Sequence, residues 1–520
     1  MLNPYDHPAQ LRTLSLSASS PTGLSGPSLG ALDRYGAFTD LAALKAASTR
    51  PLRKSLRVNT LKSSTYRFTA WAQERGWQLR PVPWCPEGFF IEREDHSVAL
   101  GKDLLHLLGH TYMQEAASML PAALLDPQPG ETILDMSAAP GSKTTQIAAA
   151  MKGKGVIVGN DVQEKRLWTL KSSLHRCGVT NYIVTKKVGQ WFAKHMTERF
   201  DRVLCDAPCT AQGTSRKDSD ALLYCGQENI GKMARLQREL LAAAVHACKV
   251  GGRIVYSTCT LTPEENEDVV ISVLKKFAGQ VEVVDGRVES ARLPPVCRQG
   301  RTGQGKWKTE SEALEHAVAD SLLVQKKHFP LSTFHFPFLR LWPQIYDTEG
   351  FFCAVLKKVA PTKHPEKLLP VRFQEELLPP ARQKDIGKIC EEMYGASFLH
   401  EGDRLLLRSD QVLLSTQDVA EFRLPVQDYS LGLPFARRLD PGRIRLSQEL
   451  ITLRGHEASR NILEISESEL NALLDGKDIP CLADLRGDPI LLFRGMPAGS
   501  SLAKDGMLRN RLPRWLVAKS

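Results

Sequence analysis

The stretch Thr132-Ile-Leu-Asp-Met-Ser-Ala-Ala-Pro-Gly-Ser-Lys-Thr-Thr145 decides the fold. Its apolar start predicts a strand that ends at Asp135. A tight turn of small residues follows, and a helix opens after Gly141. The same grammar repeats between about Thr111 and Leu261. Val156-Ile-Val158 ends near Asp161, Arg202-Val-Leu-Cys205 ends in Asp206, and Arg253-Ile-Val-Tyr256 ends in Ser257-Thr-Cys259. A helix-period stretch follows each run. This alternation predicts an α/β fold with a doubly wound, mostly parallel sheet. Ligands of such sheets sit beyond the C-terminal strand ends, where all these acidic and sulfur-bearing residues fall.

Outward from this core, the chain has 520 residues, enough for roughly three domains. Apolar residues make up 42% and charged residues 24%, which excludes collagen-like, coiled-coil and wholly disordered classes. No run approaches the roughly 20 apolar residues of a membrane helix, so no membrane partner is expected. The net charge of +10 favours a polyanionic partner without proving one. Eleven cysteines, an odd number without any C-x-x-C pair, fit free thiols in a cytoplasmic protein and give no metal site.

The expected organisation has five parts. Residues 1–30 form a Ser- and Pro-containing leader, and 31–110 a small accessory domain. Its basic run Pro51-Leu-Arg-Lys-Ser-Leu-Arg-Val-Asn-Thr-Leu-Lys62 reads as a solvated strand edge. Residues 111–358 form the α/β domain, with a long polar, basic loop near 286–310 and two closing strands, Phe338–Trp342 and Phe351–Leu356. A proline-rich linker spans 359–385, and 386–520 is an α+β C-terminal region.

Chemistry concentrates at the strand ends. Gly141 and its small neighbours let backbone N–H groups approach a ligand, and the following helix N-terminus suits an anion. The P-loop pattern G-x-x-x-x-G-K-[ST] is absent, and so is the dinucleotide fingerprint G-x-G-x-x-G. Asp161 can accept both hydroxyls of a ribose, which points to an adenosine ligand other than NAD. Asp206-Ala-Pro-Cys209 and Ser257-Thr-Cys-Thr260 bring two cysteines to one sheet edge. A single cysteine is usually a small buried hydrophobe, the reading given to Cys177, Cys205 and Cys248. Two at strand tips beside an adenosine site suit a specific reaction. A thiolate attacking C6 of a pyrimidine makes C5 nucleophilic enough to accept a methyl group. A nearby aspartate selects cytosine through its amine and N3.

Four segments, Tyr112-Met-Gln-Glu-Ala-Ala-Ser118, Leu134-Asp-Met-Ser-Ala-Ala-Pro-Gly-Ser-Lys143, Asp206-Ala-Pro-Cys209 and Tyr256-Ser-Thr-Cys-Thr260, resemble the NOL1/NOP2/Sun family of RNA cytosine-5 methyltransferases. The resemblance implies a Rossmann-like class I methyltransferase domain over 111–358, with an RNA-recognition domain before it and a PUA-like RNA-binding module at the end of 386–520. It implies Cys259 as nucleophile, Cys209 in product release and Asp206 in cytosine activation. S-adenosylmethionine is the implied donor, held by Ser137, Ala138, Ala139, Pro140, Gly141, Ser142, Lys143, Asp161, Arg166 and Asp206. Further likeness over Arg53–Lys62, Pro83–Phe89 and Pro343–Phe352 implies a cytosine of the 16S rRNA decoding region, on naked RNA or the 30S subunit, as substrate of a monomer. Transfer RNA or 23S rRNA, or a non-catalytic role in ribosome assembly, are the alternatives. The family's usual aspartate beside the adenine amine is replaced by Val188, and its Ser-Gly-x-Gly turn by Thr210-Ala-Gln-Gly213. Arg216, Lys217, Arg494, Lys504, Arg509, Arg511 and Arg514 are the expected phosphate contacts, and Trp515 either stacks on a base or, at least as readily, anchors the tail in the core.

Overall fold

The computed structural model describes residues 29–285, 338–362, 375–422, 424–425, 429–440, 443–483 and 485–517. The leader to residue 28, the basic loop near 286–310 and the linker over 363–374 lie outside the described residues. Four strands, β1 (Lys54–Val58), β2 (Gln78–Val82), β3 (Cys85–Glu92) and β4 (Thr111–Met113), form an N-terminal sheet in the order β2-β3-β1-β4. The expected boundary at 111 therefore moves, because β4 pairs antiparallel with β1 through Leu56, Arg57 and Val58. The reading of the basic run as a solvated edge also fails at two positions. Arg57 is 1% exposed and donates to Gln114 Oε1 at 3.0 Å and Thr145 Oγ1 at 2.9 Å. Lys62 donates to the carbonyls of Leu108 (3.0 Å) and Arg176 (2.8 Å) and to Thr452 Oγ1 (2.8 Å). It clasps three regions of the chain together.

The central sheet contains β5 (Thr132–Asp135), β6 (Val156–Asn160), β7 (Tyr182–Thr185), β8 (Phe200–Asp206), β9 (Cys248–Thr258), β10 (Val281–Val284), β11 (Leu339–Leu341) and β12 (Phe351–Lys358). Its order is β10-β12-β9-β8-β5-β6-β7, with β11 on β12 and a short strand, Ser430–Leu431, on β7. Strands β5 to β9 are parallel, and β12 returns antiparallel beside β9. The α/β expectation holds.

The strand runs are continuously apolar because both faces are covered. Ile133, Ile157, Leu204 and Val255 pack with Leu124, Ile147 and Leu170 on one face. Their chain neighbours Leu134, Val158, Val203 and Ile254 pack with Leu240 and Leu241 on the other. Burial of such side chains contributes about 1.5–3 kcal/mol each. Chain order reverses at β5, which carries β6 on one side and β8 on the other. That switch point opens a crevice at the strand ends.

The C-terminal region starts earlier than expected. Glu376–Leu377 pairs with Asp403–Arg408, and a helix runs over Pro380–Tyr394. Pro380 occupies the first helical turn, where a missing N–H costs nothing, so a proline read as linker opens a helix. Two small three-stranded sheets end the chain. Leu491, Phe493 and Leu508 share a core with Leu56, Phe68 and Phe89, so the chain's end packs on the N-terminal sheet. No helix among the described residues is long and apolar enough to cross a membrane.

Candidate active site

The turn after β5 forms a cradle. Gly141 has φ +109°, and a Cβ there would lie 2.9 Å from Ser173 Cβ, so both conformation and space favour glycine. The helix Ser142–Ala150 begins at once. Ser137, Ala139, Asp161, Asp206, Cys209 and Cys259 line one cleft of ≈330 Å³. Arg166 lines it too, joining Asp161 Oδ2 at 3.1 Å and the Ala139 carbonyl at 2.5 Å. Asp161 Oδ1 accepts from the Gln163 N–H at 3.0 Å. Ala138 is instead buried, its N–H bonded to the Asn160 carbonyl at 2.8 Å, and Pro140 is exposed. Val188 is 48% exposed and supplies no carboxylate.

Asp135 lies beneath the cradle, accepting from Thr144 Oγ1 at 2.8 Å. Burial, reinforced by Asp206 and opposed by Thr144 and Lys143, pushes its carboxyl up to about 7. The folded protein thus keeps a proton that the unfolded chain loses near pH 4. The contribution of Asp135 to stability therefore falls as pH rises through that window, by about 1.4 kcal/mol for each pH unit. Glu349, pushed to about 8 by burial and by Glu115, adds to the same slope. Asp135→Asn is expected to flatten the decline of the melting temperature between about pH 5 and 7. An unchanged slope in thermal melts would assign the decline elsewhere.

The reacting groups sit across β8 and β9. Asp206 and Ser257 are in register, and Ser257 Oγ donates to Asp206 Oδ1 at 2.7 Å. Lys143 Nζ lies 2.8 Å from Asp206 Oδ2 and 5.3 Å from the Phe351 ring centroid. Burial pulls the lysine's pKa down, but the charges of Asp206 and Asp135 outweigh it and leave it raised. Cys209 Sγ lies 3.4 Å from Cys259 Sγ. The hydrogen bond to Cys259, followed by burial, holds the Cys209 thiol well above its ordinary range. The site therefore presents a carboxylate fixed by two donors, beside a pair of sulfurs in hydrogen-bond contact.

One residue that holds this pair escaped the sequence reading. Pro263-Glu-Glu-Asn266 reads as a helix opening, yet Glu265 is 0% exposed. Its carboxylate accepts from the Thr210 N–H (3.0 Å), Gln237 Nε2 (2.8 Å) and Thr262 Oγ1 (3.0 Å), and from Thr210 Oγ1. Its carbonyl accepts from Tyr256 OH at 2.5 Å. Glu265 thereby ties the loop after Cys209 to the loop after Cys259. The Gly213 N–H, donating to the Cys259 carbonyl at 2.9 Å, adds a second tie. Glu265→Ala leaves several buried donors without an acceptor. It is expected to slow turnover roughly a hundredfold through displaced sulfurs, with donor affinity retained in calorimetry. Turnover within about twofold of the parent would contradict this positioning role.

The expected RNA contacts divide. Arg216 is corrected: its side chain is 1% exposed and bound to Asp347 (2.7 Å) and the carbonyl of Pro51 (2.7 Å). Lys217 and Lys504 are exposed. Arg494, Arg509 and Arg511 reach the surface but face Glu74 (2.6 Å), Asp478 (2.7 Å) and Asp488 (2.8 Å). Arg514 and Trp515 are exposed. Among the described residues, no group of three His, Cys, Asp or Glu side chains could hold a metal ion.

Residues 122–357 match the family described as 16S rRNA methyltransferase RsmB/F, and 35–116 match the N-terminal domain of 16S rRNA methyltransferase RsmF. The chain is 35% identical over 484 residues to the ribosomal RNA small subunit methyltransferase F of Psychromonas ingrahamii, covering 91% of this chain and 92% of that one. It is 36% identical over 477 residues to the same-named protein of Aeromonas hydrophila, with the same coverage. The crystal structure of PH0851 matches with a TM-score of 0.51 and 27% identity, covering 66% of this chain and 70% of the other.

Proposed function

This chain belongs to the 16S rRNA methyltransferase RsmB/F family, and on that premise we propose that it transfers a methyl group to C5 of a cytosine in 16S rRNA through a covalent cysteine adduct. The observation that carries the reading is the pair of sulfurs 3.4 Å apart beside a carboxylate held by Lys143 and Ser257. S-adenosylmethionine supplies the methyl group. The cleft fits it: the Asp161 carboxylate lines it, oriented by Arg166 at 3.1 Å and the Gln163 N–H at 3.0 Å, and would accept from ribose hydroxyls. Ser137 and Ala139 line the same cleft and would flank the donor.

In this reading Cys259, as thiolate, bonds to cytosine C6. Asp206 accepts from the exocyclic amine, which uracil lacks, and favours the N3-protonated ring, in which electron density is drawn away from C6. C5 then takes the methyl group as the donor's S–CH3 bond breaks. The C5 proton leaves to solvent and the C6–S bond breaks, the departing Cys259 sulfur taking the Cys209 proton, so that the pair ends again as one thiol and one thiolate. Cys209 assists that release. A base within a duplex must first leave its stack to reach the cleft.

The test offers labelled donor with naked 16S rRNA, 30S subunits and total tRNA side by side. Label in 16S rRNA, free or in the subunit, is expected. Label in tRNA alone would overturn the substrate. No label, with donor binding intact, would overturn the catalytic reading in favour of a binding role in assembly.

A further inference from the structure

Large aromatic side chains left in water are uncommon, and each forfeits its burial energy. Among the described tryptophans, two are exposed: Trp168 at 61% and Trp515 at 49%. They stand far apart in sequence, one on the helix Glu164–Arg176 of the central domain and one near the chain's end. Both nevertheless line a single cavity of ≈220 Å³. The helix contributes Trp168, Lys171, Ser172, His175 and Arg176 to that cavity, a spacing that puts all five on one face, and Glu449 lines it too, opposite in charge to Lys171 and Arg176. Lys171 Nζ lies 5.8 Å from the Trp168 ring centroid, and Tyr429 meets Trp168 edge-on at 6.1 Å and 83°. An edge contact leaves indole surface open. Arg514, beside Trp515, is exposed as well.

We propose that Trp168 and Trp515 form an aromatic clamp for one unstacked nucleotide of the rRNA substrate, outside the catalytic cleft. Stacking on indole takes any base, because every base offers a π-face. Lys171 and Arg514 supply positive charge for the flanking phosphates, in keeping with the chain's net +10. The helix carrying Trp168 also carries Arg166, which pairs with Asp161 in the donor cleft. A nucleotide held here would anchor the strand to the element that shapes that cleft. The occupant rests on the rRNA reading above.

Filter binding of naked 16S rRNA and of 30S subunits to the full chain tests the clamp. Trp168→Ala and Trp515→Ala are each expected to weaken binding to both about tenfold, while Trp168→Phe and Trp515→Phe retain most of it. Unchanged donor affinity in calorimetry confirms that the alanine variants are folded. Alanine variants that bind rRNA like the parent would overturn the clamp. So would a loss seen with 30S subunits alone, which would make the cavity a seat for a ribosomal protein. A parent chain that binds neither RNA form would overturn the rRNA reading itself, and the clamp with it.

Discussion

Cys259→Ala is expected to reduce methyl transfer by more than about a thousandfold, the scale seen when a nucleophile is removed. The cytosine ring is too poor a nucleophile at C5 without a bond at C6, and alanine cannot form one. The rest of the site survives the change. Lys143 still faces Asp206 at 2.8 Å, and Asp161 and Arg166 remain joined on the far side of the cleft. Donor affinity in calorimetry should therefore match the parent. Label incorporation near the parental rate would remove Cys259 from the reaction.

Cys209→Ser is expected to accumulate protein covalently joined to RNA. The two sulfurs are 3.4 Å apart, and the hydrogen bond to Cys259, with burial, raises the Cys209 thiol above its ordinary range. A protonated group so placed can act on the adduct without competing as nucleophile. A weaker acid at 209 should slow release while leaving attack by Cys259 intact. The adduct then appears as a retarded band in a denaturing gel, and the double variant Cys209→Ser/Cys259→Ala shows none. Loss of activity by Cys209→Ser without a band would place Cys209 before the attack.

The strand ends were legible because parallel strands covered on both faces leave uninterrupted apolar runs. Asp135, Asp161, Asp206 and Cys259 mark where those runs stop. Pairing across sequence distance was not legible. β4 joins the N-terminal sheet although its residues precede the central domain without a break. Arg216 read as a phosphate contact because nothing local marks Asp347 as its partner. Glu265 read as a helix-opening acid, and its burial among Thr210, Gln237 and Thr262 arises only when β8 and β9 meet. Trp168 and Trp515 likewise became a pair only through the packing of the chain's end.

Attack at C6 with transfer at C5 makes one demand that no other methylation site shares: the hydrogen on C5 must leave. Ribosomal RNA carrying tritium at cytosine C5 would be incubated with the protein and unlabelled donor. One tritium released to water for each methyl group gained is the predicted result. Methyl gain with the tritium retained in RNA would place the methyl group elsewhere and contradict the account.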